Sequence, residues 1–515
     1  MKIERVSTNK QSMLNIIGAV TVVGINTLIN FFLSPYIVKC LGIEANGYIA
    51  LANNFVSYFS LITVALNSMA GRFILIELKN NNLSEANGYY TSVLVGDWIL
   101  GIILLIPVTI LVMHLNNFIQ VENNLLQDVK MLFIFVFISF FCGLITPKWS
   151  NATFSTNKLY LRSLEAILTS ILRAGVIFIS YKCLLPKIYY VGLAGIIMTL
   201  GNLTLEFWFK VKLLPELKVK LKCCSIKKIK ILIASGIWNT ISQCGNLLLE
   251  GLDILIANMF INSVASGLLS LSKIIPNMIN QVVGNIATTF GPRLITLFAL
   301  NDTDQMVKEV NNHIKIVSII ANIPIGITFT VGMRFFKLWV PSQDETVLTI
   351  LTSLTLLGML FSGASNCIIN IFTAVNKLKV NSVIVVISGF INIFLVNILL
   401  NITNFGVYAI AGVSSILSII RVFGFTAPYA AYCIKKRWYT FHKALIKGAC
   451  NVIIPIFIGM ICNRIMDVNG WLSFILEVGI IFICTVIIDY FLALNKEEKK
   501  IIKSLICKNE KNGAH

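Results

Sequence analysis

Long apolar stretches alternate with short polar loops along the whole chain. Stretches near 20 residues match a helix crossing the hydrocarbon core of a bilayer, and they predict fourteen spans. Their approximate limits are residues 13–38, 47–71, 89–113, 130–146, 160–180, 189–209, 231–260, 264–291, 314–333, 346–373, 380–401, 405–432, 444–462 and 470–493. The predicted fold class is therefore an all-α polytopic membrane protein. Residues 71–88 contain RFILIELK, which is too short to span and predicts an interfacial helix.

Two consecutive spans carry polar residues at helical spacing. The seventh span has Asn239, Gln243, Asn246, Glu250 and Asp253, and the eighth has Lys273, Asn277, Asn280, Gln281 and Thr288. Steps of three and four place each set on one helix face. Ionisable groups at bilayer depth are costly and normally face a bundle interior or a water-filled cavity. The two stripes predict the wall of a polar path through the membrane.

Composition and charge support a membrane protein. Hydrophobic residues make up 57% of 515 positions and charged residues 13%, whereas a soluble domain carries roughly a quarter charged residues. The net charge of +19 comes mainly from short loops, which argues for contact with membrane lipid and against a nucleic-acid partner. About 32 of the 42 Lys and Arg lie on the side of the N-terminus and about 6 on the other, which predicts that both termini are cytoplasmic.

The longest break in hydrophobicity is the basic stretch around residues 210–230. It lies in one of the loops that we predict to be cytoplasmic, where it contributes to orientation. The basic tail at residues 494–515 is expected to be solvated or to touch lipid headgroups.

The two halves of the chain match at an offset of 220 residues. The matched pairs are Asn26 with Asn246, Asn30 with Glu250, Gly47 with Gly267, Asn53 with Lys273 and Ser68 with Thr288. Six spans separate the copies, so both have the same orientation, as in transporters whose lobes are related by an axis along the membrane normal. We therefore expect an N-terminal lobe (residues 1–222, spans 1–6), a C-terminal lobe (223–440, spans 7–12), two extra spans (441–493) and the tail.

Residues 41–55, LGIEANGYIALANNF, followed by NSMAGRF at 67–73, resemble Wzx-type polysaccharide flippases of the multidrug/oligosaccharidyl-lipid/polysaccharide exporter superfamily. The resemblance implies a MATE-like fold and a non-enzymatic function. That function would be transfer of an undecaprenyl-diphosphate-linked oligosaccharide, for O-antigen or capsule, from the inner to the outer leaflet of the bacterial cytoplasmic membrane. A polysaccharide polymerase is a further expected partner. Fourteen spans also match the topology of lipid II flippases.

For such a cargo, the diphosphate needs cations and the sugars need amide partners. The candidate cations are Lys273, Arg173 and Arg421, and the leading amides are Asn26, Asn30, Asn53, Asn246 and Asn277. Structural alternatives remain open: Lys273 can pair with Asp253 or Glu250, and Arg173 can pair with Glu165 on about the same face of its helix.

No phosphate-binding loop, zinc-protease or nucleophile-elbow motif occurs, and no catalytic residue, metal site or cofactor is expected. Transport must then use an ion gradient or downhill substrate flux, by alternating access. Glu250, Asp253 and Asp97 are the hypothetical H⁺ or Na⁺ sites.

Two rival functions follow from the same features. A cation-coupled multidrug antiporter of the same superfamily would favour an acidic, aromatic cavity, whereas the mid-span cations here favour an anionic cargo. A membrane polymerase or ligase typically needs a large outer loop, and the outer loops here are all short.

Overall fold

The structure is a computed structural model that describes residues 8–468 and 470–492. Every regular element in this part of the chain is helical. In chain order the α-helices are α1 Thr8–Leu41, α2 Ile43–Asn67, α3 Ala70–Lys79, α4 Leu83–Met113, α5 Leu115–Phe118, α6 Leu126–Ile145, α7 Asn151–Ser155, α8 Leu159–Cys183, α9 Tyr189–Leu213, α10 Ile226–Asn246, α11 Asp253–Phe260, α12 Ser263–Ser272, α13 Ile274–Thr289, α14 Gly291–Ala299, α15 Thr303–Trp339, α16 Glu345–Ala374, α17 Leu378–Ile402, α18 Val407–Arg421, α19 Ala427–Cys433, α20 His442–Cys450, α21 Ile453–Ile465 and α22 Trp471–Leu492.

Three short segments depart from the α-helix. Leu247–Gly251 and Val422–Thr426 are single π-helical turns, and Leu221–Cys223 is a 3₁₀ turn. A π-turn inside a helix carries one extra residue and is frequent at functional sites. The first of these turns lies inside the predicted seventh span and the second inside the twelfth.

Twelve helical segments in the described residues are long and apolar enough to cross a membrane. The other two predicted spans are the two with polar stripes, and both are interrupted. The seventh consists of α10, the π-turn and α11, and the eighth consists of α12 and α13. The all-α, multi-pass prediction is confirmed, and the prediction of fourteen spans approximately agrees with these twelve segments taken together with the two striped ones. The helix predicted within residues 71–88 is α3, whereas the tail at 494–515 lies outside the described residues.

Helix packing defines two compact units. The first contains the described residues up to Ile274 together with Leu378–Ser414, and the second contains Ile275–Lys377 together with the described residues from Ser415 onward. The boundaries of these units follow the density of helix packing, and they do not coincide with the halves of the predicted repeat. The predicted division into lobes at residue 222 therefore stays a prediction.

In the first unit, α2 packs against α10 and α12, while α1, α6, α8 and α9 pack among themselves. Gly47 of α2 meets Gly267 of α12: a Cβ on Gly47 would lie 2.8 Å from the Gly267 nitrogen, and one on Gly267 would lie 2.7 Å from Ile43 Cγ1. Asn46 Nδ2 donates to Ser270 Oγ at 2.5 Å beside this contact. Equivalent residues of a two-fold repeat touch only near its axis, so this contact is compatible with the predicted pairing of Gly47 with Gly267.

In the second unit, α15 is the central helix and contacts α14, α16, α20, α21 and α22. Arg334 of α15 donates from Nη1 to Glu477 Oε1 of α22 at 2.7 Å, and the Glu477 side chain is fully buried. Because a buried carboxylate is costly unless it is paired, this ion pair fixes α22 on α15.

Candidate functional site

The candidate site is built around the π-turn Leu247–Gly251. A π-turn interrupts the regular ladder of helix hydrogen bonds, and carbonyl groups at such a break need other donors. Three consecutive carbonyls of this turn accept bonds from side chains of other helices. The bonds run from Asn392 Nδ2 to Leu249 O at 2.9 Å, from Lys273 Nζ to Glu250 O at 2.8 Å, and from Tyr58 Oη to Gly251 O at 2.8 Å. The interruption is therefore stabilised by α2, α17 and the α12–α13 junction.

Lys273 also forms an ion pair with Asp253, the first residue of α11. The distance from Nζ to Oδ2 is 2.5 Å, and both side chains are largely buried. The Ser414 hydroxyl lies 3.4 Å from Asp253 Oδ1. In a low-dielectric environment a paired charge is far less costly than an isolated one. The two charges therefore neutralise each other, as the structural alternative for Lys273 predicted. Contact between Lys273 and a substrate stays a prediction.

The position of Lys273 follows from a break between two helices. Lys273 is a turn residue after α12, and Pro276 lies in the first turn of α13. Pro276 has no N–H to donate to the carbonyl of Ser272, and its ring crowds that carbonyl. The break points the Lys273 side chain back to the carbonyl of Glu250, while the Glu250 side chain itself is exposed.

Asp97 of α4 lies in a separate ion pair. Its side chain is fully buried, Lys148 Nζ is 3.2 Å from Oδ2, and Asn67 Nδ2 donates to Oδ1 at 2.8 Å. Lys148 Nζ also donates to Gly143 O at 2.8 Å. The network joins α2, α4 and the end of α6, and the ion-coupling role of Asp97 stays a prediction.

Arg173 lies near the middle of α8, and its Nε is buried without a hydrogen-bond partner among the described residues. The charged groups that face Glu165 are Glu206 and Arg162, so the alternative pairing of Glu165 with Arg173 is not formed. Arg421 is the last residue of α18, directly before the second π-turn.

Four of the five predicted sugar-binding asparagines are exposed, and Asn26 is half-buried. Asn53 Nδ2 donates to Ile49 O of its own helix at 2.9 Å. Neither Asn53 nor the other exposed amides, Asn30, Asn246 and Asn277, is buried in the protein interior. Their contact with sugars stays a prediction.

Sequence reasoning missed Tyr58, Asn392 and Ser414 as parts of the site. Asn392 has a detectable signal, because a lone amide within the apolar helix α17 commonly bonds across a helix interface. Tyr58 has none, since a tyrosine in a membrane helix commonly packs as an aromatic residue. Its ring lies 5.4 Å from that of Phe55 in an edge arrangement.

Comparison with known proteins places the fold. No family model matches the chain. It is 24% identical over 478 residues, 93% of its length and 94% of the relative's, to an uncharacterized membrane protein, EpsK, of Bacillus subtilis (strain 168).

Two kinds of transporter structure are similar over most of the chain. One is the lipid II flippase MurJ in an inward closed conformation, with a TM-score of 0.65, 15% identity, and 96% of this chain and 99% of that one covered. Another is an inward-facing multidrug resistance MATE family transporter of the MOP superfamily, with a TM-score of 0.58, 14% identity, and 82% and 99% covered. The MATE transporter VcmN of Vibrio cholerae, in its bent form, has a TM-score of 0.56, 14% identity, and 86% and 99% covered. The chain therefore has the MATE- and MurJ-like fold.

Proposed function

We propose that this protein is a flippase for an undecaprenyl-diphosphate-linked oligosaccharide. It would move its cargo from the inner to the outer leaflet of the bacterial cytoplasmic membrane by alternating access, with both termini cytoplasmic. The outer-leaflet product would supply a polysaccharide polymerase for O-antigen or capsule assembly. The fold supports a transporter, and an apolar groove together with an uncompensated cation supports a lipid-linked anionic cargo.

The observation that carries this proposal is an apolar groove in the second unit. It has a volume of about 730 Å³ and lies between α13, α15 and α22. Its lining is almost wholly aliphatic and aromatic, and α22 contributes Phe474, Val478, Phe482 and Val486. A prenyl chain needs a continuous apolar surface beside the transport path, whereas a small cationic drug does not. The groove therefore favours a lipid-linked cargo.

The polar residues support an anionic, sugar-bearing headgroup. Lys273 is balanced by Asp253, whereas the guanidinium of Arg173 has no ion-pair partner among the described residues. An unpaired cation at bilayer depth is expected to meet an anion, so Arg173 becomes the leading diphosphate ligand. The exposed asparagines supply donors and acceptors for sugars.

Coupling to H⁺ or Na⁺ belongs to the same proposal. Asp253 and Asp97 are both engaged in ion pairs, whereas the Glu250 carboxylate is exposed. Glu250 is therefore the leading coupling carboxylate. Glu250→Gln should abolish the response of transport to an imposed ion gradient, with downhill flux retained.

The direct test fills the groove. Val478→Trp places a large ring in the groove, whereas Ile483→Trp places the same ring on an exposed position of α22 outside the lining. Full-length protein is reconstituted in vesicles with a fluorescent prenyl-diphosphate oligosaccharide, and translocation is followed by its accessibility to an external quencher. We expect Val478→Trp to slow translocation about tenfold, which corresponds to a loss of about 1.4 kcal/mol in interaction with the prenyl chain, and Ile483→Trp to leave the rate unchanged.

Failure of the wild-type protein to translocate this cargo would overturn the proposed function. Equal rates in the two variants would overturn the role of the groove alone. Deletion of the protein in cells should trap lipid-linked oligosaccharide on the cytoplasmic face and leave drug susceptibility unchanged. Increased drug susceptibility without trapped lipid-linked oligosaccharide would favour a multidrug antiporter.

A lipid II flippase is the second candidate, and the likeness to MurJ over nearly the whole of both chains favours it. Expression of the protein in cells depleted of their own lipid II flippase separates the two. Restored growth would support lipid II as cargo, and failure to restore growth alongside normal polysaccharide export would support the first proposal.

A further inference from the structure

The link between α9 and α10 is a fixed strap and not a free loop. Residues 214–225, which we call the basic strap, lie along the first turns of α4. The charge distribution predicts that this loop is on the same side of the membrane as the N-terminus. Three of its backbone N–H groups donate to buried side chains of α4. The bonds run from Lys218 N to Asn87 Oδ1 at 2.7 Å, from Lys220 N to Thr91 Oγ1 at 2.9 Å, and from Ser225 N to Ser92 Oγ at 3.0 Å.

Apolar anchors hold the same strap. Leu214 and Leu217 are buried in a core cluster with Tyr90, Val93 and Leu232. Gly88 of α4 allows the strap to lie close, because a Cβ there would be 3.2 Å from the carbonyl oxygen of Cys223. The backbone of the strap is therefore held by both hydrogen bonds and burial.

The exposed face of the strap is mainly basic and apolar, with one exposed acidic residue, Glu216, near its start. Lys218, Lys220 and Lys222 are exposed, and none of them forms an ion pair with an acidic residue of the described chain. Between them, Val219 and Leu221 are 39% and 62% exposed. Charges interleaved with exposed aliphatic side chains suit a membrane interface, where headgroups and acyl boundary lie side by side.

A role in setting membrane topology does not explain why the basic strap is held in one conformation. A cytoplasmic loop can set topology through its charge in any conformation. Here three buried polar side chains of α4 hold the loop in one conformation. The spacing of the ammonium groups is therefore fixed before any ligand binds. A pre-ordered charge array loses less conformational freedom when it binds.

We propose that the basic strap binds anionic phospholipid headgroups of the leaflet on the N-terminal side of the membrane. Phosphate and glycerol groups would contact Lys218, Lys220 and Lys222, and Leu221 would enter the acyl boundary. This surface is separate from the apolar groove and does not depend on the identity of the cargo.

The test measures lipid binding to the full-length protein. Protein purified in detergent is titrated with phosphatidylglycerol or phosphatidylcholine, and bound lipids are resolved by native mass spectrometry. The test variant is K218Q/K220Q/K222Q, and K218R/K220R/K222R retains the charge. K435Q/K443Q/K447Q removes the same charge from exposed lysines elsewhere in the chain.

Each lysine near an anionic surface is expected to strengthen association about fivefold. We therefore expect the glutamine triple to lose more than tenfold in affinity for the first phosphatidylglycerol, while phosphatidylcholine binding and both control triples are unchanged. An equal loss in K435Q/K443Q/K447Q, or no loss in the strap variant, would overturn the proposal. Displacement of phosphatidylglycerol from the strap by inorganic pyrophosphate at lower concentration than by a second phospholipid would also overturn it, because the strap would then be a diphosphate site.

Discussion

The two copies of the predicted internal repeat fold differently at matched positions. In the first copy α1 and α2 are continuous helices through Asn30 and Asn53. In the second copy the residue matched to Asn30 is Glu250, inside the π-turn, and the residue matched to Asn53 is Lys273, at the break between α12 and α13. The helices are interrupted where charge replaces an amide.

This difference shows how a membrane helix can be broken without loss of backbone bonding. In hydrocarbon, every carbonyl that leaves the helix ladder needs another donor. Lys273 supplies one to Glu250 O and at the same time neutralises Asp253. The first copy needs no such donor, and its Asn53 bonds only within α2. The charges of the second copy therefore support its backbone, in addition to any part that they play in transport.

The largest expected effect on stability comes from removal of Lys273, the cation of the second copy. Lys273→Met leaves Asp253 buried and unpaired and Glu250 O without its donor. The free energy of unfolding in detergent, measured by denaturant titration, should fall by about 3–5 kcal/mol. The matched change in the first copy, Asn53→Leu, should cost much less, because its amide bonds only to its own helix.

Double substitution separates charge from packing. Lys273→Met combined with Asp253→Asn removes both charges, and we expect it to recover a large part of the lost stability. A double variant no more stable than Lys273→Met would show that the ion pair is not the source of the effect. Similar losses for Lys273→Met and Asn53→Leu would contradict the contrast between the copies.

The second largest expected effect on stability comes from the contact between Gly47 and Gly267. Gly47→Ala and Gly267→Ala each place a methyl group against the other helix, and overpacking should cost about 1–3 kcal/mol. The two losses should not add fully, since both act on one contact. Gly24→Ala is the control, because a Cβ there meets nothing within 4 Å, and it should be neutral or stabilising. A destabilised Gly24→Ala, or unchanged stability at Gly47, would argue against the contact.

The smallest effect comes from the other two donors to the π-turn. Tyr58→Phe removes only the hydroxyl that bonds to Gly251 O and should cost about 0.5–1.5 kcal/mol. Asn392→Leu, at a fully buried position, should cost at least as much. Hydrogen exchange of the amides around residues 247–251 should rise in both variants. Unaltered exchange would mean that these donors do not stabilise the interruption.

Much of the fold was predictable because it depends on local periodicity. Runs of apolar residues predict the spans, and steps of three and four predict the two polar faces. The 220-residue match predicted that Gly47 and Gly267 are equivalent, and their contact agrees with this. The interruptions at Glu250 and Lys273 were not predicted, because hydropathy averages over a window and is blind to a single extra residue in a helical turn.

The site was predictable only in part. The polar stripe points to Lys273, Asp253 and Glu250, and the alternative that paired them is the one the structure shows. The donors Asn392 and Tyr58 were missed because they lie 143 and 193 residues from the carbonyls they cap. The pairing of Arg173 with Glu165 was wrong: a spacing of eight residues fits one helix face, but Glu165 faces Glu206 and Arg162.

The amino-acid sequence is sufficient for the multi-pass helical class, the spacing of polar residues in two spans and the basic character of residues 210–230. These are properties of composition and of spacing along a single helix. Three features required the packed molecule: which helices cap the π-turn, which carboxylate Lys273 meets, and the position of the basic strap along α4. They differ in kind because a buried carbonyl, carboxylate or N–H takes whichever partner the packing of distant helices brings within bonding distance.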